Sequence, residues 1–193
     1  MRELAGRTAL VTGGGRGVGR AVARRLASDG ALVAVHHGGD AAAALETVAL
    51  VAESGGSAFA VDASGGVEAL FAPLEAGLRA RTGDARLDIL VNAAAGGGAR
   101  EAYRIIQRAV PLLRDGGRVI DVSADRLAVP GLADVLGARG ITLNTVAPGQ
   151  LAVPRVGRTD VANIVGFLAS AESGWVTGHL LDASGGAFLS PSV

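Results

Sequence analysis

The segment TGGGRGVG at residues 12–19 decides the fold, because it joins a short apolar run to an amphipathic helical pattern. Residues 8–12 read TALVT, and Val18, Val22 and Leu26 then follow at helical spacing. A glycine-rich turn between a strand and a helix lets the backbone approach a pyrophosphate and points free helix N–H groups at it. This strand–turn–helix context predicts dinucleotide binding rather than an ordinary tight turn.

The alternation of apolar runs with helical patterns continues along the whole chain. It predicts an α/β fold with a doubly wound, Rossmann-like parallel sheet, and residues 1–193 as one nucleotide-binding domain with shortened substrate-side segments. Asp40 is placed to cap the second helix. The predicted strands are residues 8–12, 32–36, 58–62, 89–92, 118–123, 142–147 and 180–182. The later helices are predicted at residues 66–81, 101–114, 132–138 and 160–170.

Composition excludes several classes of function. The 193 residues include 18 basic and 18 acidic side chains, so no excess of positive charge suits a nucleic acid or an anionic membrane. Zero cysteines exclude disulfides and thiolate metal sites, and no His, Asp or Glu spacing indicates another metal site. No apolar run reaches bilayer length, and Glu3 interrupts any signal peptide, so we expect a cytoplasmic protein. All 18 basic residues are arginine, and this bias together with abundant Ala and Gly suggests a GC-rich bacterial source.

Several segments, in order, resemble the short-chain dehydrogenase/reductase family. Residues 12–19 match its TGxxxGxG motif, and Asp62 matches the acidic residue that contacts adenine. The stretches DILVNAAA at 88–95 and RGITLNTVAPG at 139–149 are similar to its DILVNNAG and RGITVNxVAPG segments. The resemblance implies hydride transfer between a nicotinamide cofactor and a carbonyl or alcohol. The implied cofactor-binding residues are Gly13, Gly15, Arg16, Gly17, Val18, Gly19, His37, Asp62, Ala63, Asn92, Ala93, Ala94, Pro148 and Gly149.

The end of the second strand favours NADP(H) over NAD(H). A site for NAD places a carboxylate there for the ribose 2′-hydroxyl, whereas this chain has no carboxylate before Asp40. Arg16 and His37 would instead meet a 2′-phosphate. The competing interpretation is that Arg16, His36 and His37 are only solvated polar residues.

The catalytic motif of the family is missing. Its reductases use Asn, Ser, Tyr and Lys, the last two in a YxxxK motif, but this chain has no lysine and its one tyrosine, Tyr103, lies on another helix. Ser123 matches the catalytic serine, although a register one residue along puts Ala124 there. Ser123 and Tyr103 are the candidate catalytic residues, and packing beside Ile106 and Val110 is the competing role for Tyr103.

Compared with the family, residues are missing at three places on the substrate side. The gaps follow residues 92–98, Ser123 and Gln150, and the second Asn of NNAG is Ala93. All three gaps follow strands whose carboxyl ends form the ligand crevice of α/β sheets. The adenine half is therefore predicted to be whole and the substrate half reduced. A sequence that omits residues of the natural polypeptide would give the same pattern, and a higher intact mass would reveal it.

Three classes of function remain open. The first is an oxidoreductase with another proton donor, such as a water held by Ser123 or Asn92. The second is a nucleotide-binding pseudoenzyme that docks a partner chain, and the third is a non-redox cyclase or isomerase on the same scaffold. Asp125 with Arg126 could orient a ligand or be surface decoration.

The last helix and strand are predicted to form a homo-oligomer contact. The resemblance implies pairing through residues Asp160 to Phe188, with His179 in the contact and Trp175 as an anchor. The alternatives are a catalytic role for His179 and a substrate platform at Trp175. The substrate is a small molecule whose identity the sequence leaves open.

Overall fold

One parallel sheet of seven strands organises the protein. The computed structural model describes residues 3–94, 98–124, 132–149 and 157–185. The strands are β1 (Thr8–Thr12), β2 (Leu32–His37), β3 (Ser57–Asp62), β4 (Leu87–Asn92), β5 (Leu113–Val122), β6 (Thr142–Ala147) and β7 (Leu180–Asp182). The helices are α1 (Gly17–Ser28), α2 (Ala41–Glu53), α3 (Val67–Thr82), α4 (Gly98–Ala109), α5 (Ala133–Ala138) and α6 (Arg158–Ala169). A short 3₁₀ turn covers Ala171–Ser173.

The strand order is β3-β2-β1-β4-β5-β6-β7, and every neighbouring pair is parallel. The direction of winding reverses between β1 and β4, and such a reversal opens a crevice at the carboxyl ends of the strands. All residues of β1, β4 and β6 are buried, as expected for strands covered on both faces. The predicted doubly wound, Rossmann-like single domain is confirmed.

Two apolar cores lie on opposite faces of the sheet. On one face α1 and α6 cover Val11, Val91 and Val146. On the other face α3 and α4 cover Leu10 and Leu90. Alternate residues of each strand therefore belong to opposite cores, so polar residues at the strand ends are also assigned to one face or the other.

The predicted helix over residues 101–114 is wrong at both ends. Helix α4 runs over Gly98–Ala109, and Leu113 is already paired with Leu87 in the sheet. Pro111 lacks the N–H that another helical turn would need, which explains the early end. The register shift in β5 after Leu113 then allows a strand of ten residues where six were predicted.

The other helix predictions hold to within three residues. Helix α5 is the expected short segment, and α2 begins after Asp40, whose Oδ1 accepts the Ala43 N–H at 3.1 Å. The predicted N-cap of α2 is thus confirmed. Within the described residues, no helix combines the length and apolar character needed to cross a bilayer.

Candidate cofactor site

The glycine turn after β1 is packed too closely for side chains. An added Cβ at Gly13 would lie 2.9 Å from the Ala93 carbonyl oxygen, and at Gly19 it would lie 2.2 Å from the Gly13 carbonyl oxygen. Gly13 also has φ of +63°, a left-handed conformation that favours glycine. The turn therefore packs directly against the end of β4, and a side chain at Gly13 or Gly19 would clash with backbone atoms.

Two amides of the turn are held by β2, and those of α1 remain uncapped by side chains. Gly13 N–H donates to His36 Nδ1 and Gly14 N–H donates to the His36 carbonyl, both at 3.2 Å. Arg16 precedes α1 in an extended conformation, with no side-chain cap on the first N–H groups of the helix. A helix start of this kind can accept an anionic group.

His36 is buried under the glycine turn. Burial, followed by repulsion from His37, lowers its pKa from 6.5 to about 4, against a smaller opposing effect of Asp62. The imidazole is therefore neutral near pH 7, which leaves Nδ1 free to accept the Gly13 N–H.

Arg16 projects from the turn toward solvent. Its guanidinium is 2.5 Å from the Asp40 carboxylate, and its side chain is 76% exposed. The Ala43 N–H and then Arg16 lower the pKa of Asp40. Asp40 thus caps α2 and pairs with Arg16 through the same carboxylate, a link that the sequence analysis missed.

His37 and Asp62 end adjacent strands beside this turn. His37 is buried and its Nδ1 lies 3.7 Å from Asp62 Oδ1, with no hydrogen-bond partner among the described residues. Asp62 Oδ1 accepts the Ser64 N–H at 2.8 Å, and hydrogen bonds from Ser64 lower the pKa of Asp62. Ala63 N–H donates to the His37 carbonyl. The interpretation of both histidines as solvated residues is wrong, whereas Arg16 is indeed exposed.

A chain of hydrogen bonds joins the ends of β1, β4 and β5. The Thr12 hydroxyl accepts the Ala93 N–H at 3.1 Å and donates to Asn92 Oδ1 at 2.8 Å. Asn92 Nδ2 donates to Asp121 Oδ1, and the Ser123 hydroxyl donates to Asp121 Oδ2, both at 2.6 Å. We name these four side chains, Thr12, Asn92, Asp121 and Ser123, the strand-end network.

Asp121 was not predicted as a site residue. It is 1% exposed, and within the described part of the chain it takes part in no ion pair. A carboxylate among Val119, Ile120 and Val122 of a buried strand was the signal that could have identified it. The network also uses both polar atoms of the Asn92 side chain, because Oδ1 accepts from Thr12 and Nδ2 donates to Asp121.

The two candidate catalytic residues differ in placement. Ser123 lies at the end of β5, half-buried, where its hydroxyl belongs to the strand-end network. Tyr103 lies in the second turn of α4 rather than the predicted first turn, because the helix begins at Gly98. Ile106 and Val110 are buried on the Tyr103 face, in agreement with a packing role.

The remaining predicted residues fall at the same edge or outside the described ranges. Pro148 and Gly149 follow β6, and Gly149 lies against the Ser184 backbone. Trp175 is 82% exposed beside β7. Asp125, Arg126 and Phe188 lie outside the described residues. Among the residues that the structure describes, no cluster of three metal-ligating side chains occurs.

Comparison with solved structures shows the same architecture in ketoreductases. A promiscuous reductase, LugOII, which catalyses keto-reduction at C1 in lugdunomycin biosynthesis, is 42% identical, with a TM-score of 0.88 over 98% of this chain and 100% of that one. The landomycin C-6 ketoreductase LanV, solved with bound NADP and rabelomycin, is 38% identical, with a TM-score of 0.87 over 97% of this chain and 98% of that one.

An uncharacterized oxidoreductase from Methylorubrum extorquens is 33% identical over 96% of this chain and 99% of the relative. That alignment runs over 250 residues, whereas the chain has 193, so at least 57 positions of the relative have no counterpart here. The prediction of a shortened family member agrees with this difference.

A 3-oxoacyl-[acyl-carrier-protein] reductase from Staphylococcus aureus is 29% identical over 95% of this chain and 98% of the relative. The short chain dehydrogenase family model matches residues 7–110, which include the glycine turn and all of α4. Because this match spans more than half of the sequence and agrees with the fold, the chain belongs to the short-chain dehydrogenase/reductase family of oxidoreductases.

Proposed function

We propose that the protein is an NADP(H)-dependent reductase that transfers hydride between the nicotinamide and a ketone or alcohol. The observation that carries this proposal is the closely packed glycine turn, in which Gly13 and Gly19 leave no room for a Cβ beside neighbouring backbone atoms. The uncapped helix start that follows this turn suits a pyrophosphate. The NADP bound to LanV supports the choice of cofactor.

The choice of NADP(H) rests on the charges around Arg16. No carboxylate ends β2, so a ribose 2′-hydroxyl would lack its usual acceptor, while Arg16 can pair with a 2′-phosphate. In this proposal the amides of α1 hold the pyrophosphate and Asp62 contacts the adenine. The other cofactor contacts are assigned to Gly15, Gly17, Val18, His37, Ala63, Asn92, Ala93, Ala94, Pro148 and Gly149.

Proton transfer must differ from that of the family, because the sequence has one tyrosine and no lysine. A phenol titrates near 10, and the family relies on a nearby lysine to lower that value. We propose that the Ser123 hydroxyl turns from Asp121 to donate to the substrate oxygen, and that the proton comes through water. Loss of a positioned general acid typically slows a reaction by about 10²- to 10⁴-fold, so we expect slow turnover.

The proposed substrate class is a ketone on an angucycline-type ring system. LanV is named as an angucycline C-6 ketoreductase, and LugOII is named for keto-reduction at C1 in lugdunomycin biosynthesis. They match almost the whole chain at 38% and 42% identity. The shortened substrate side suits a crevice that is more open than in the full-length relatives.

Titration with NADPH and NADH, followed by incubation with rabelomycin, tests this proposal. We expect micromolar binding of NADPH, weaker binding of NADH, and slow loss of NADPH absorbance with formation of an alcohol. Arg16→Ala should weaken NADPH binding about tenfold and leave NADH binding unchanged. Failure to bind either nucleotide would reject the reductase and favour the non-redox class, while binding without turnover of a ketone panel would favour the pseudoenzyme.

We also propose that a second copy of the chain pairs with the edge formed by α6 and β7. Strand β7 ends the sheet, so its outer backbone groups have no partner strand within the described residues. Trp175, Phe167 and Leu180 are exposed along this edge. We propose that the protein acts in the cytoplasm, where NADPH is available to a reductase.

A further inference from the structure

The buried Asp121 carboxylate sets the charge at one end of the crevice. Both of its oxygens accept hydrogen bonds, one from Asn92 Nδ2 and one from the Ser123 hydroxyl. Within the described residues no cation pairs with it, so its charge is offset only by these two neutral donors.

The charge lies close to the position of the nicotinamide in the proposed function. Asn92 and Ser123 end β4 and β5, the strands next to the switch point, and the crevice lies outside their carboxyl ends. In the proposed function the substrate oxygen contacts Ser123 Oγ and so lies within about 6 Å of the carboxylate. The nicotinamide lies against the substrate, within about 10 Å of the carboxylate. At that separation a buried charge still acts on another charge.

We propose that Asp121 makes this site favour the oxidised, cationic nicotinamide over the reduced, neutral one. The inference rests on the proposed function, since it requires NADP(H) in the crevice. The two cofactor forms share the adenosine, phosphate and ribose groups and differ in the charge of the nicotinamide ring. The carboxylate therefore changes the difference between their binding free energies. The same charge would stabilise the positive charge that develops on the ring as hydride leaves.

The strand-end network allows a conservative test. In Asp121→Asn the side-chain oxygen can still accept from Asn92 while the amide donates to Ser123 Oγ, so the hydrogen bonds can reorganise without a large void. Asp182→Asn is the matched control: Asp182 ends β7 at the same edge, two strands from β5 or about 10 Å away, and its Oδ1 accepts the Ser184 N–H.

The measurement is the dissociation constant of NADP⁺ and of NADPH by calorimetry, for the wild type and both variants. We expect the wild type to bind NADP⁺ more tightly than NADPH, Asp121→Asn to shift the ratio about tenfold toward NADPH, and Asp182→Asn to leave it unchanged. A ratio that stays constant in a folded Asp121→Asn protein, or shifts equally in both variants, overturns the proposal.

Two further results separate this inference from the proposed function. Absence of binding by both nucleotides rejects the cofactor assignment itself, and the Asp121 proposal with it. If Asp121→Asn does not fold, the wild-type ratio alone decides, because tighter binding of NADPH than of NADP⁺ overturns the inference.

Discussion

His36 couples the glycine turn to the second strand through an imidazole that must be neutral. Its Nδ1 accepts the Gly13 N–H, and burial lowers its pKa to about 4. A protonated Nδ1 would carry a hydrogen toward that N–H and break the contact. The conformation of the glycine turn is therefore expected to depend on pH through His36.

Stability should fall as the pH drops from about 6.5 to 4. In that window the unfolded chain binds a proton at His36 that the folded protein excludes, so the folded state loses stability with acidification. The full loss is about 3 kcal/mol for a shift of this size. Urea unfolding at several pH values should show this slope, and His36→Asn should flatten it. An identical slope in the variant would contradict the assignment.

A pair of glycine substitutions should separate close packing from conformational strain. Gly19→Ala forces a Cβ to within 2.2 Å of the Gly13 carbonyl, whereas Gly17→Ala enters open space at φ of +55°. We expect Gly19→Ala to cost about 3 kcal/mol and abolish NADPH binding. Gly17→Ala should cost about 1 kcal/mol of left-handed strain. Thermal melts and nucleotide titration measure both, and equal effects would refute the packing argument.

Helix α2 is tied to the cofactor turn through its N-cap. Asp40 accepts the Ala43 N–H and also holds Arg16, the proposed phosphate ligand. A 2′-phosphate would therefore compete with Asp40 for the guanidinium and would be repelled by the carboxylate. The Asp40 carboxylate that stabilises α2 is thus expected to weaken binding of the 2′-phosphate.

Two substitutions at Asp40 should separate these roles. Asparagine remains a good N-cap but has no charge, so Asp40→Asn should bind NADPH about threefold to tenfold more tightly with little change in melting temperature. Asp40→Ala should gain the same affinity but melt at a lower temperature, because the cap is lost. Calorimetry and thermal melts report both effects. Weaker NADPH binding by Asp40→Asn would show that the carboxylate assists the cofactor instead.

The exposed edge of the sheet is where a second copy is expected. A short edge strand next to a large exposed indole is an open site for association. Strand β7 lies four strands away from β1 and its glycine turn, so changes at this surface should leave nucleotide binding intact.

Light scattering can test the edge contact. We expect the wild type to be a dimer or larger at micromolar concentration, and Trp175→Ser with Leu180→Arg to yield a monomer that still binds NADPH. Leu45→Arg on α2 is the control, since Leu45 is a comparably exposed apolar residue away from this edge. A monomeric wild type would reject the contact.

Local signals in the sequence were sufficient for the fold and the cofactor turn. The TGGGRGVG segment, the Asp40 cap and the alternating apolar runs each depend on neighbours within one or two elements, so their spacing identifies them. The predicted end of α4 is wrong because Leu112 and Leu113, which follow Pro111, suit either a helix or a strand. Pairing of Leu113 with Leu87 places this segment in the sheet.

The hydrogen bonds and ion pairs between polar groups of the site follow only from the tertiary structure. Asn92 and Asp121 are 29 positions apart in sequence, and Thr12 and Asn92 are 80 apart, yet they share hydrogen bonds because parallel strands end at one edge. Packing of α1 against α2 brings Arg16 beside Asp40. Burial under the glycine turn lowers the pKa of His36. The family, the nucleotide turn and most strand positions follow from local sequence pattern, whereas the start of β5 does not. Charge and burial at the site depend on contacts between distant segments, and these exist only after the sheet has formed.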